Sequence, residues 1–159
     1  PLGGRSFAGD TISAYHDLMF DRDPAVHGPA GVAWSTWEAA TITLEPDEGL
    51  IAAFSDPTYA LAFARIENHY FFHRGWFSEG QLIANASRLA DIPGVIVQGR
   101  YDVATPVETA YRLHQAWPNA EYRIVPVAGH AFSEPGVLDA LVTATDRFAL
   151  QAADMTSRS

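Results

Sequence analysis

Two residues stand where chemistry is done. Asp102 lies in GRYDVATP (residues 99–106), directly after the apolar run Val95, Ile96 and Val97. His130 closes AGH (residues 128–130), directly after YRIVPV (residues 122–127). A short, β-branched apolar run bounded by turn residues predicts a buried parallel strand, and residues 107–117 between the two runs predict a helix. Strand, helix and strand bring the two carboxyl-end loops side by side, and functional groups of open parallel sheets gather there. An Asp and then a His at the ends of neighbouring strands fit the last two members of a triad ordered Ser…Asp…His. In such a triad the imidazole takes a proton from a hydroxyl, while the carboxylate fixes its tautomer and stabilises the imidazolium. Taken singly, each residue has a plainer explanation: Asp is common in turns and caps, and a lone His is more often structural than catalytic. It is the joint setting that points to catalysis.

A triad also needs its nucleophile, whose elbow reads G-x-S-x-G. The nearest match is GRSFA (residues 4–8), which ends in Ala and follows no apolar strand. Ser6 is therefore read as part of a flexible terminal loop, and no other serine has a suitable setting. In this architecture the nucleophile is expected before a helical region, hence before Pro1. The first residue is Pro1 rather than Met, which reads as a processed end or a boundary.

The elements that must position Asp102 and His130 follow from periodicity. Ile12, Tyr15, Leu18 and Met19 predict a helix from Thr11, capped by Asp10 or Thr11 and broken by DRDP (residues 21–24). A second helix is expected over about 29–43. A third starts at Asp56 and Pro57 and runs to Tyr70, and a short one covers 81–89. Residues 11–90 thus read as all-helical. Beyond them come strand 95–99, helix 107–117 and strand 122–127. Pro126 is tolerated only near the strand's end. A closing helix over 135–150 carries Val137, Leu138, Leu141, Val142, Thr145 and Phe148 on one face. The fold class is α/β: two parallel strands with flanking helices, preceded by a helical region. Two strands alone make no doubly covered sheet, so further strands are absent or come from elsewhere. The domain reading is 1–90 helical, 91–150 α/β and 151–159 a loose tail.

Bulk properties narrow the partners. The 159 residues suit one ordinary domain, and 48% hydrophobic content supplies a core. A net charge of −9 argues against nucleic acid and against an anionic membrane surface. The absence of cysteine excludes disulfides and cysteine-ligated metals. No apolar run approaches the roughly 18 residues of a membrane span. His69 and His73 have the i, i+4 spacing of metal ligands, but no third ligand is evident, so no metal is expected. Tyr70, Phe71 and Phe72 beside them would line a pocket or simply pack. Trp34, Trp37, Trp76 and Trp117 read as packing residues.

Several segments resemble one family. They are ARIENHYF (residues 64–71), IPGVIVQGRYD (92–102), AWP (116–118), AGH (128–130), the pair Glu134 and Pro135, and DALV (139–142). Across nearly all of residues 10–149 they are similar to proline iminopeptidases, serine peptidases of the α/β-hydrolase superfamily that remove an N-terminal proline. The resemblance implies that residues 1–90 are the helical cap and 91–150 the C-terminal part of the α/β-hydrolase domain. Asp102 and His130 match the family's triad aspartate and histidine. Glu38, in WSTWE (residues 34–38), and Glu67, in RIENHY (65–70), match the carboxylates that grip the substrate's free amino terminus. Without the resemblance, both glutamates read as exposed helix charges pairing with Arg or Lys.

The expected partners are peptides with an N-terminal proline, with no metal or organic cofactor and a cytoplasmic setting. The N-terminal hydrolase segment carrying the serine is expected to be required, and this chain alone to be inactive. Many family members carry a cysteine just after the triad aspartate; Ala104 and Thr105 stand there instead, which predicts weak inhibition by thiol reagents. Another capped α/β-hydrolase (an esterase, amidase or epoxide hydrolase) and a non-catalytic binding module remain open alternatives.

Overall fold

The computed structural model describes residues 10–157, with side chains described as far as Ala153. Ser6 and the GRSFA segment lie outside the described residues. By internal contacts the chain forms two compact units. Of the described residues, one comprises those up to Thr41 together with Glu45–Glu79, and the other Ile42–Leu44 together with those from Gly80 onward. The division falls at 79/80 rather than at the expected 90, and a three-residue strap, Ile42–Leu44, joins the second unit.

The first unit is helical, and its helix starts are set by acidic caps. Asp10 accepts the Ile12 N–H at 3.1 Å and opens α1 (Thr11–Met19). Asp23 accepts the Ala25 N–H at 2.9 Å and starts α2 (Pro24–Thr41) five residues earlier than the sequence predicts. Pro24 opens this helix rather than breaking the chain, because a first-turn residue needs no N–H partner. Asp47 caps α3 (Glu48–Phe54), a helix the sequence reading did not assign. Asp56 caps α4 (Pro57–Phe72) through the N–H groups of Thr58 and Tyr59. Each such cap contributes about 1 kcal/mol.

Small residues let α2 and α4 approach closely. A Cβ on Gly31 would lie 2.9 Å from Leu61 Cα, and Ser35 Oγ donates to the Ala60 carbonyl at 2.9 Å. Met19, Ala30, Trp34 and Ala64 form the buried cluster, with Ile12, Tyr15, Leu18 and Phe63 packed around it. A 3-10 turn, Arg74–Trp76, follows α4. Arg74, Gly75 and Trp76 all hold positive φ (52°, 58° and 59°), which is costly for the two non-glycine residues. Of the tryptophans read as packing residues, Trp34 and Trp117 do pack, Trp76 packs at the surface against His69, Tyr70 and His73, and Trp37 is 66% exposed.

The second unit opens with α5 (Gln81–Ala84) and a 3-10 turn, Ala86–Leu89, which together replace the single short helix expected over 81–89. Then come β1 (Val95–Gly99), α6 (Val107–Ala116), β2 (Glu121–Val125) and α7 (Pro135–Ser157). The strands pair in parallel from Val95 against Glu121 to Gly99 against Val125. β2 ends one residue before Pro126, so the proline costs no ladder bond.

Two expectations for α7 are corrected. The tail expected to be loose from 151 continues the helix to Ser157. The packed face is Val137, Ala140 and Ala144, at i, i+3 and i+7, while Leu138, Leu141 and Val142 are exposed. Alanines win because the helix lies close to the sheet. Val125, Ala128, Val137 and Ala140 share one core cluster with Val97 against them, and a Cβ on Gly136 would lie 2.7 Å from Val125 Cγ1. Among the described residues, no helix is long and apolar enough to cross a membrane.

Candidate active site

Backbone geometry at the carboxyl ends of β1 and β2 brings two loops together. The parallel ladder continues past the strands: Arg100 N–H donates to the Val125 carbonyl at 3.0 Å, and Tyr101 N–H to the Ala128 carbonyl at 2.9 Å. The loops touch where each has a glycine. A Cβ on Gly99 would collide with the Gly129 carbonyl oxygen, so only hydrogen fits at this position.

From these loops Asp102 and His130 converge. Asp102 Oδ2 lies 2.9 Å from His130 Nδ1. An ionised carboxylate only accepts, so Nδ1 carries the proton and Nε2 is left as the basic nitrogen. Asp102 is 9% exposed, whereas the His130 side chain is 39% exposed. Among the described residues Nε2 has no hydrogen-bond partner. The imidazole is thus anchored on one side and open on the other, the arrangement a general base needs.

Residues that the sequence reading missed complete the carboxylate's surroundings. Thr105 N–H donates to Asp102 Oδ1 at 2.7 Å, and Thr105 Oγ1 donates to Oδ2 at 2.8 Å and lies 3.2 Å from His130 Nδ1. Buried Gln98, the penultimate residue of β1, places Nε2 3.1 Å from Asp102 Oδ2 and 3.1 Å from the Thr105 carbonyl. Burial pushes the Asp102 carboxyl up, but the Thr105 N–H, the His130 hydrogen bond, the Thr105 hydroxyl and the charge of His130 together outweigh it and hold the group below its ordinary value. The signal for Thr105 was present in the sequence: an Asp with a Thr three residues on is the spacing of an Asp side chain bonding the following turn.

The loop carrying His130 is itself clamped. Gly129 N–H donates to Glu134 Oε2 at 2.6 Å, and the N–H groups of His130 and Ala131 both donate to the Ile42 carbonyl at 2.8 Å. Leu44 N–H donates to Glu134 Oε1 at 2.9 Å. Glu134 belonged to a segment carrying the resemblance, but nothing in the sequence suggested a partner 90 residues away.

Glu38 and Glu67 lie in the other compact unit. Glu67 is partly buried on α4, and its Oε2 accepts the Trp34 indole N–H at 2.6 Å. Glu38 is partly buried on α2, one helical turn after Trp34 and therefore on the same helix face. Glu67 thus pairs with an indole instead of the Arg or Lys that its helix setting predicts. His69 and His73 lie with ring centroids 4.7 Å apart beside Trp76, which stacks on His73 at 5.2 Å. Among the described residues, no group of three or more His, Cys, Asp or Glu side chains is placed to hold a metal ion.

Comparison with known proteins gives this geometry a context. Residues 74–153 match the family model described as TAP-like protein, an α/β-hydrolase family. The chain is 53% identical over 140 residues to a proline iminopeptidase of Xylella fastidiosa strain Temecula1, covering 87% of this chain and 45% of that protein. It is 52% identical over 141 residues to the proline iminopeptidase of Xanthomonas citri, covering 88% and 45%. It is 42% identical over 137 residues to that of Arabidopsis thaliana, covering 86% and 36%. The chain thus spans less than half the length of these relatives and matches their C-terminal part.

Proposed function

The chain belongs to the TAP-like family of α/β-hydrolases, and from that premise we propose that it carries the Asp–His half of a serine aminopeptidase that releases N-terminal proline from peptides. The observation that carries this reading is the 2.9 Å contact between Asp102 Oδ2 and His130 Nδ1 at the ends of adjacent parallel strands. The names of the relatives supply the substrate class.

In this reading a serine hydroxyl attacks the carbonyl of the N-terminal proline. His130 Nε2 takes the hydroxyl proton, and the imidazolium is held by Asp102 through Nδ1–H. The tetrahedral intermediate collapses, the C–N bond breaks, and His130 returns the proton to the leaving amine. Water then attacks the acyl-enzyme, with His130 again first base and then acid, which frees proline and the serine. Glu38 and Glu67 hold the protonated proline nitrogen, whose two N–H groups are donors. Trp34 fixes one oxygen of Glu67 and leaves the other to accept. A peptide lacking that charge would give these partly buried carboxylates no ammonium to bind, which favours terminal over internal proline. Residues 1–90 are the cap in this assignment.

The serine is the missing member. No G-x-S-x-G occurs in the 159 residues, and among the described residues no serine hydrogen-bonds His130. The reading therefore assigns the nucleophile to polypeptide outside this sequence and expects the chain alone to be inactive. Hydrolysis of a fluorogenic proline amide tests it. Turnover by the gene's full translated product, lost in His130→Ala and absent from the 159-residue chain, supports the assignment. Turnover by the short chain would mean the nucleophile lies within it, and a full-length product inert on proline amides would discard the substrate class.

A further inference from the structure

We infer that Glu134 is a positioning residue for His130, a carboxylate brace that holds the histidine's loop against the strap of residues 42–44. The inference rests on the reading of Asp102 and His130 as the acid–base pair.

Glu134 sits where α7 begins, and its carbonyl accepts the N–H groups of Val137 and Leu138 at 2.9 Å each. The short side chains of Ser, Thr, Asp or Asn at that position ordinarily turn back to cap their own helix. Glu134 instead directs both oxygens away, Oε2 to the Gly129 N–H at 2.6 Å and Oε1 to the Leu44 N–H at 2.9 Å. Hydrogen bonds to an ionised acceptor are roughly twice as strong as neutral ones. One of these two donors is the residue immediately before His130.

Between the two bonds, the Ile42 carbonyl takes the N–H groups of His130 and Ala131 at 2.8 Å each. All three successive backbone donors from 129 to 131 are therefore committed, one to Glu134 and two to Ile42. The fit leaves no slack, since a Cβ on Gly129 would lie 3.0 Å from both the Ile42 carbonyl oxygen and the Leu44 nitrogen. Two devices then locate the imidazole. Asp102 and Thr105 set the ring's rotation through Nδ1, and Glu134 sets the backbone from which the ring hangs. The second device acts where the first cannot: the bonds at Nδ1 orient the ring, and the brace fixes the backbone that carries it.

The chemistry of the brace separates it from simple packing. Two backbone donors converge on two carboxylate oxygens. Glutamine offers one oxygen and one amide, so one donor would face another donor. Alanine offers no acceptor. The full-length product carrying Glu134→Gln or Glu134→Ala should be compared with Val137→Ala, which weakens the same helix without touching the brace. One readout is the low-field proton resonance of His130 Nδ1–H in its bond to Asp102; the other is proline-amide turnover.

The resonance is expected to weaken in Glu134→Gln and to vanish in Glu134→Ala, while Val137→Ala keeps it. Values of kcat should fall about 10-fold and about 100-fold in the two Glu134 variants, with KM changed less than about twofold. Because the resonance is read without substrate, a wrong substrate class would silence turnover and leave the resonance series intact. An unaltered resonance in folded Glu134→Gln overturns the inference, as does the same loss in Val137→Ala. If Glu134→Ala does not fold, the glutamine variant decides alone.

Discussion

At the carboxyl end of β1, Asp102 is buried among Gln98, Thr105 and His130; at the amino end of β2, Glu121 lies between Arg123 and Arg147 with its side chain 36% exposed. Both carboxyls are held below their ordinary values, by different physics. For Glu121 the hydrogen bonds to Arg147 at 2.7 Å and Arg123 at 2.9 Å do it, with little burial to oppose them. For Asp102 burial is the largest influence and acts the other way, and it is overcome by a backbone N–H, a hydroxyl and an imidazole. Glu121 has two full positive charges and water. Asp102 has neutral donors and one group whose charge can come and go. The second arrangement keeps a negative charge waiting beside an imidazole, while the first only ties a helix to a strand.

The largest expected effect breaks the comparison at the Asp102 end. Asp102→Asn in the full-length product should lower kcat about 10⁴-fold, because the asparagine amide favours the wrong tautomer of His130. Glu121→Gln should leave kcat within twofold of the parent, on the order of experimental scatter. Steady-state hydrolysis of a proline amide reads both. Comparable losses in the two variants would end the distinction drawn between the two sites.

A smaller effect concerns the backbone that makes the Asp102 site possible. Gly99→Ala drives a methyl into the Gly129 carbonyl, backbone against backbone, with no flexible side chain to give way. Overpacking of this kind costs about 3 kcal/mol, read as a lower urea midpoint. Gly80→Ala has open space around its Cβ but a φ of 69°, so it should cost less, about 1 kcal/mol of backbone strain. Equal losses would mean that conformation, and not the close approach of the loops, governs Gly99.

How much of this was legible in the sequence depends on range. The α/β order, both strands, α1, α4 and the pairing of the Asp and His loops follow from local pattern, because periodicity and turn residues act over a few positions. The start of α2 escapes the pattern because DRDP looks like a break, whereas Asp23 before Pro24 makes the proline a first-turn residue. The buried face of α7 departs from its pattern of larger apolar residues. Close packing against the sheet selects Ala140 and Ala144 over Leu138 and Leu141. Thr105 was within reach of a careful local reading. Gln98 was not, since a strand residue's partner depends on how the next loop folds back. The strap of residues 42–44 and its bond to Glu134 span 90 positions and leave no periodic trace.

The last contrast is set by acid and salt together. Both carboxyls have folded-state values below their unfolded ones, 3.8 for Asp102 and 4.5 for Glu121. A group depressed on folding stabilises the protein fully above its unfolded value and loses that contribution as pH falls through the folded value. The acid limb of stability should therefore contain two parts, the Glu121 part beginning near 4.5 and the Asp102 part near 3.8, each extending downward. Salt separates them. At about 1 M the screening length shrinks to about 3 Å, which weakens an exposed Arg–Glu–Arg cluster but hardly reaches a buried carboxylate in direct hydrogen-bond contact with Thr105 and His130. Urea midpoints from pH 6 to 3 in low and high salt should lose the Glu121→Gln difference in high salt and keep the Asp102→Asn difference. If high salt erased both differences equally, Asp102 would be held by long-range charge rather than by the bonds of Thr105 and His130. The buried carboxylate would then be no different in kind from the exposed one.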